Sequence, residues 1–295
     1  MFYSEQTVNR NKSKMYKTNY HSHSTFCDGK STMEAMVVAA IEHGFSHWGV
    51  SSHAPVPFPN TFAIKQEDIK AYLGEFKRLK EIYSDRIHLY LGMELDFITD
   101  IMEDIKEQAK DYGLDYFIGS VHQVKEHNDS MDSWFIDGHD QGIYDRELKE
   151  LFDNDIRRGC EAYFSQQIRM IETNKPDILG HCDKITMHNK GRFFTNDTPW
   201  YEEMVRSLLD TVKQYDIITE INTRGLYKKR NDDFYPALKW LRIAKEKGIK
   251  ITISTDCHKA DETDLFYQQA LDSAKAIGFT HISYFENEWK EQKID

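Results

Sequence analysis

Several things are scarce in this chain, and each shortage narrows what it can be. There are four cysteines, Cys27, Cys160, Cys182 and Cys257, with neither a CxxC pair nor zinc-finger spacing. That argues against a thiolate-built zinc knot, and the four read as small buried side chains in a reduced protein. No apolar stretch approaches the ~20 residues a membrane helix needs, so no membrane partner is expected. The polar start, residues 1–14, lacks the apolar core of a signal peptide and reads as a leader ahead of the fold. The expected location is the cytoplasm. Positive charge is also short: 38 Lys and Arg face 49 Asp and Glu, for a net charge of −11. A diffuse basic surface for nucleic acid is therefore absent, and no nucleic-acid partner is expected. An acidic chain that acts on a phosphate needs local cations in its site, either Arg and Lys or bound metal.

What is present suits a globule. Hydrophobic residues make up 40 % and aromatics 13 % of 295 residues, enough for a large core. An α/β barrel of ~250 residues is ordinary as one domain, so residues 15–295 are expected to form one. No internal repeat or low-complexity segment interrupts them.

Along the chain, apolar runs at residues 15–20, 46–51, 87–93, 116–121, 177–180, 217–221 and 249–253 read as strands. Helical periodicity separates them at residues 31–43, 68–83, 98–112, 145–173, 200–215, 236–247 and 262–277. A short strand is expected at residues 280–285. Ser31 reads as the cap of the first helix, with Glu34 three residues on and Gly44 at its end. Pro55, Pro57 and Pro59, half of the chain's six prolines, make the next segment a loop. Periodicity is lost again at residues 123–143, around Trp134, Phe135, Gly138 and His139, which reads as either a surface insertion or a substrate-covering loop.

Strands alternating with helices imply parallel βαβ units. In an open doubly wound sheet, ligands would gather at one switch point, whereas in a barrel every strand end faces one mouth. Here His21, His23, Asp28, His53, Glu94, His122, His181, Asp256 and His258 follow six of the seven strands. That distribution favours a closed barrel with a metal site at the C-terminal ends of its strands. His43, His47, His88, His127, His139, His188 and His281 fall on helices, mid-strand or in loops and receive no role.

Imidazole and carboxylate donors suit zinc, manganese or iron. Nine donors exceed what one tetrahedral ion takes, so two or three ions are implied. Multinuclear sites of this composition activate water and clamp phosphoryl oxygens, which points to phosphate ester hydrolysis.

The ordered set Tyr20-His21-Ser22-His23, Ser52-His53-Ala54-Pro55, Gly92-Met93-Glu94, Gly119-Ser120-Val121-His122, Gly180-His181-Cys182-Asp183, Glu220-Ile221-Asn222-Thr223 and Ser254-Thr255-Asp256-Cys257-His258 resembles the motifs of the polymerase and histidinol phosphatase (PHP) superfamily. It looks most like the histidinol-phosphatase branch. Ser52 stands where an Asp commonly precedes the His, and Cys257 where Ala is usual.

The resemblance implies a distorted TIM-like (β/α)7 barrel with a trinuclear divalent site, in zinc, manganese or iron. By carry-over, His21, His23, Glu94 and Asp256 would hold one ion. Asp28, His53 and His258 would hold a second, and His122 and His181 with a bridging Glu94 the third. Relatives often place a His where Asp28 stands, and an oxygen there could favour manganese or iron.

The expected partner is a small-molecule phosphate ester, L-histidinol phosphate first, attacked in line by a hydroxide bridging two ions. Glu94 is taken as catalytic through its bridging charge, and Asp183 or Asp96 as proton donor to the leaving alcohol. Arg158, Arg192 and Arg224 could reach the mouth as phosphate donors; Arg192 and Arg158 are taken as the substrate-binding pair, Arg192 first. Acidic or aromatic partners for the ammonium and imidazole are expected within residues 123–143. The alternatives are a phosphoesterase for nucleotides, phosphodiesters or phosphotyrosine, and a non-catalytic metal-binding scaffold.

Overall fold

Parallel strands buried on both faces need near-continuous apolar runs, and the segments Leu89, Leu91 and Met93, Phe117 and Ile118, Ile178 and Leu179, and Ile251 and Ile253 supply them, all buried. In the computed structural model, which describes residues 15–126 and 130–294, the strands are β1 (Thr18–Asn19), β2 (His47–Val50), β3 (His88–Asp96), β4 (Tyr116–Ser120), β5 (Gln123–Val124), β6 (Trp134–Phe135), β7 (Ile178–Leu179), β8 (Ile218–Asn222), β9 (Ile251–Ser254), β10 (His281–Glu286) and β11 (Glu288–Lys293). Seven of them form one parallel sheet in the order β1-β2-β3-β4-β7-β8-β9. Its two edges meet where Ser22 bridges Cys257 in parallel and His23 N–H donates to Cys257 O at 2.8 Å. The sheet is thus a nearly closed α/β barrel, as expected. The leader proposed for residues 1–14 lies outside the described residues.

Helices α1 (Met33–Glu42), α2 (Ile69–Ile82), α3 (Ile105–Asp111), α4 (Gln141–Phe152), α5 (Ile156–Asn174), α6 (Thr186–Asn189), α7 (Pro199–Gln214), α8 (Arg224–Tyr227), α9 (Leu238–Glu246) and α10 (Tyr267–Ile277) fill the connections. Helix α7 shows why. Pro199 opens its first turn, and Tyr201, Val205, Leu208, Leu209 and Val212 recur on one face and are buried.

Four local expectations are corrected. The α1 cap is Thr32, whose Oγ1 accepts from Ala35 N–H; Ser31 Oγ instead accepts from Ala260 N–H. Residues 98–104 are not helical, because Ile98 and Met102 exchange backbone hydrogen bonds around Asp100, which adopts φ 61°. The single helix expected over residues 145–173 is two, broken where Asp153 and Asn154 take positive φ and Asp155 caps the second. The expected final strand gains a partner, since β10 and β11 form an antiparallel hairpin.

That hairpin closes the barrel's lower end. Tyr20, Tyr90, Tyr116, Ile118, Ile178, Ile218 and Phe285 form one buried cluster, with Trp289 packed against them. Tyr20 Oη accepts from Phe285 N–H at 2.7 Å, and Trp289 Nε1 donates to Asp177 Oδ1 at 3.0 Å. With the lower end plugged by aromatics, the C-terminal end is the open one.

Candidate metal centre

Each strand delivers its donors in the same direction, so the nine ligand-type residues converge. Glu94, buried within β3, is the hub. Its Oε1 lies 2.9 Å from His181 Nε2 and 3.3 Å from His122 Nε2, and accepts from Ser120 Oγ at 2.7 Å. Its Oε2 lies 3.1 Å from His21 Nε2, 3.1 Å from His53 Nδ1 and 3.4 Å from His23 Nε2. The two oxygens of one carboxylate therefore face two sets of imidazoles. Gly180 keeps this arrangement possible, because a Cβ at that position would collide with Ser120 Oγ.

On the far side, Asp256 Oδ1 lies 3.3 Å from His23 Nε2 and 3.8 Å from His21 Nε2. Asp256 adopts φ 50°, a strained conformation for a residue with a side chain. Its carbonyl is held by Arg224 Nη1 at 2.8 Å, Tyr227 Oη at 3.0 Å and His258 Nδ1 at 3.0 Å. The last of these leaves His258 Nε2 facing Asp28 Oδ1 at 3.2 Å, with His53 Nε2 at 3.9 Å from the same oxygen. Asp256 and His258 thus turn toward one mouth but toward different neighbours.

Donor atoms fall within coordination reach in four overlapping groups: His23, Asp28, His53 and His258; His21, His23 and Asp256; His21, Glu94 and His181; His53, Glu94 and His122. The chemistry of the set fits divalent ions. Among the described residues, His21 Nε2, His23 Nε2, His53 Nδ1, Asp28 Oδ1 and Glu94 Oε2 are buried without a hydrogen-bond partner, a costly state unless something else satisfies them. This is a polynuclear metal centre whose metal identity is open.

Behind the donors stand carboxylates that orient them. Glu220 Oε2 lies 2.9 Å from His21 Nδ1, and Glu220 Oε1 accepts from His181 N–H at 2.8 Å. Asp96 Oδ1 lies 2.6 Å from His122 Nδ1. Such pairs fix the ring and raise the basicity of the other nitrogen. Burial opposes charge on His21, yet Glu220, Glu94 and Asp256 push its pKa well above the ordinary value. Burial likewise opposes charge on His122, and Asp96, Asp137 and Glu94 outweigh it. Burial together with His258 and His53 pushes His23 well below, so its lone pair is free to bind. Burial opposes ionisation of Glu94, but His21, His53 and His122 hold it well below the carboxylate range.

All the donors except His21 and His23 line a cavity of about 300 Å³, together with Lys30, Thr61, Phe62, Phe135, Asp137, Gly138, His139, Lys184, Arg224 and Arg230. Arg224, read from the sequence as able to reach the mouth, does so. Arg192 and Arg158 do not line this cavity. Arg192 makes a two-pronged pair with Asp145 at 2.9 and 2.7 Å, and Arg158 bonds Glu126 at 2.6 Å and Asp153 at 3.0 Å.

Neither expected proton donor reaches the cavity surface. Asp96 is taken by His122. Burial pushes the Asp183 carboxyl up to about 8, but it is fully buried and accepts from Ala237 N–H at 2.9 Å. Sequence reasoning missed Lys184, directly after the fifth strand-end motif, and left His139 without a role. It quoted Glu220 within a motif but assigned it nothing.

A seven-stranded barrel with this donor set defines a class of metal-dependent barrel proteins. The PHP domain family model matches residues 19–224, and the chain belongs to that family. It is 28 % identical over 281 residues to the protein named probable histidinol-phosphatase in Schizosaccharomyces pombe, covering 90 % of this chain and 88 % of that one. It is 27 % identical over 282 residues to the histidinol-phosphatase of Bacillus subtilis, covering 88 % and 99 %. The fold matches that of the histidinol phosphate phosphatase of Lactococcus lactis, solved with zinc, L-histidinol and phosphate, at a TM-score of 0.68 and 21 % identity, covering 93 % and 98 %. No helix among the described residues is long and apolar enough to cross a membrane.

Proposed function

We propose that this chain hydrolyses L-histidinol phosphate to L-histidinol and phosphate. The observation that carries the reading is the gathering of nine donors, five of them imidazoles facing Glu94, at a cavity walled by cations and flat aromatics. Bound divalent ions would supply Lewis acidity and an activated water. His21, His23, Glu94 and Asp256 would hold one ion, Asp28, His53 and His258 another, and His122 and His181 with Glu94 a third.

The chain's own groups do the rest. Lys184 and Arg224, both buried, and Lys30 and Arg230 offer N–H donors to the phosphoryl oxygens. Lys184 Nζ lies 3.7 Å from Asp256 Oδ2, close to the donor cluster. Phe62 and Phe135 stack with centroids 5.9 Å apart on the cavity wall. Their faces suit an imidazole ring. The partner is then a small-molecule phosphate ester met in the cytoplasm, and the net charge of −11 disfavours nucleic acid.

The test is phosphate release from a panel of L-histidinol phosphate, nucleoside monophosphates, phosphotyrosine and a phosphodiester. Histidinol phosphate is expected to give the highest kcat/KM. A higher value for any other member would replace this reading, and bound ions with no hydrolysis would make the chain a scaffold.

A further inference from the structure

Among the described residues the cavity holds four carboxylates, and three of them, Asp28, Glu94 and Asp256, belong to the donor set. The fourth is Asp137, on the segment just after β6. Its side chain is 13 % exposed, and Oδ1 is buried without a hydrogen-bond partner among the described residues. Oδ2 faces Lys184 Nζ at 3.5 Å and His122 Nε2 at 3.9 Å. Backbone tethers on both sides fix its position. Ile136 N–H donates to His122 O at 3.1 Å, and Gly138 O lies 2.7 Å from His188 Nε2. Just before it, Trp134 Nε1 donates to Tyr144 O and Phe135 N–H to Glu147 Oε2. Asp137 is therefore tethered on both sides, with one oxygen that makes no hydrogen bond among the described residues.

A buried carboxylate oxygen with no partner is costly and calls for a donor, best a charged one. Lys184 balances part of the charge from the Oδ2 side, and a cation that arrives with the ligand can balance the rest. We infer that Asp137 is a specificity-determining residue whose carboxylate accepts from the ammonium group of an amino-alcohol phosphate. This rests on the substrate reading above. Phosphate sits toward Lys184 and Arg224, the ammonium toward Asp137, and the flat ring toward Phe62 and Phe135. A site built around a buried acceptor rejects analogues that lack the matching donor.

The experiment compares L-histidinol phosphate with its deamino analogue, 3-(imidazol-4-yl)propyl phosphate, on the metal-loaded protein and on Asp137→Asn. The unaltered protein should prefer the amine by about tenfold to a hundredfold in kcat/KM. In D137N that preference should fall at least about tenfold, with the number of bound ions unchanged. Equal hydrolysis of the two esters by the unaltered protein overturns the inference without use of any variant and leaves the phosphatase reading standing. Loss of an ion in D137N also overturns it, because Asp137 would then be a donor to the metal centre. Failure of the unaltered protein to hydrolyse either ester overturns the substrate reading and this inference with it.

Discussion

On the cavity floor, every donor except Asp28 lies within or just beyond a strand of one nearly closed sheet. On the wall, Phe62, Phe135 and Asp137 come from two connections outside that sheet. The floor is over-determined. Glu94 answers to five imidazoles, Asp256 is pinned through its carbonyl by three donors, and carboxylates behind the rings set their orientation. The wall is held by fewer tethers and carries the groups that would meet a substrate. A barrel can keep one metal floor while changing what it accepts by altering such loops.

The largest expected effect is on the floor. Glu94→Gln leaves the imidazoles around it without their shared charge, a loss of roughly 3–5 kcal/mol for a buried pair, or about 10²–10⁴-fold if it falls on turnover. Near-normal kcat with full metal content in that variant would break the contrast. Lys184→Met, on the phosphate side, should raise KM for the ester about tenfold or more while ions stay bound. An unchanged KM would remove Lys184 from the wall's role.

Glu220→Gln sharpens the floor. His21 loses its orienting carboxylate, and metal affinity read by chelator competition should fall about 10–100-fold. Unaltered affinity would make Glu220 a purely structural group. Arg192→Ala and Arg158→Ala, by contrast, should leave kcat/KM within about twofold, since each Arg is spent on surface carboxylates whose pairing is worth about 1 kcal/mol or less. A tenfold rise in KM for either would restore it as a phosphate ligand.

Far from both regions, burial and the neighbouring His88 push His47 down to about 4. The unfolded chain takes up a proton at His47 near pH 6.5, which the folded chain resists until about 4, so stability falls as pH drops through that window. His47→Gln should therefore narrow the loss of Tm between pH 7 and pH 5, and an equal loss in both proteins would count against it.

The same contrast explains what could be read in advance. The floor was legible because apolar runs of strand length stop, one after another, at His, Asp or Glu, and because a barrel brings strand ends together whatever lies between them. Phe62, Asp137 and His139 lie in stretches with no period, where nothing in the order of residues says which side chain turns inward. Arg192 and Arg158 were plausible for their chemistry, but their partners Asp145 and Asp153 lie on or beside α4 and Glu126 just after β5, and that pairing is invisible before the fold is known. Lys184 carried a usable signal, a cation adjoining the His181 and Asp183 motif. Glu220 did as well, since a buried carboxylate in a strand-end motif needs a partner.

The central claim is that a polynuclear floor built on Glu94 makes this chain a phosphatase. Metal-stripped protein titrated with zinc or manganese, with bound ions and phosphate release from L-histidinol phosphate followed together, tests it most directly. We expect no turnover in the stripped protein and turnover that appears only as more than one ion binds per chain. Full turnover without metal, or complete at a single bound ion, would contradict the account.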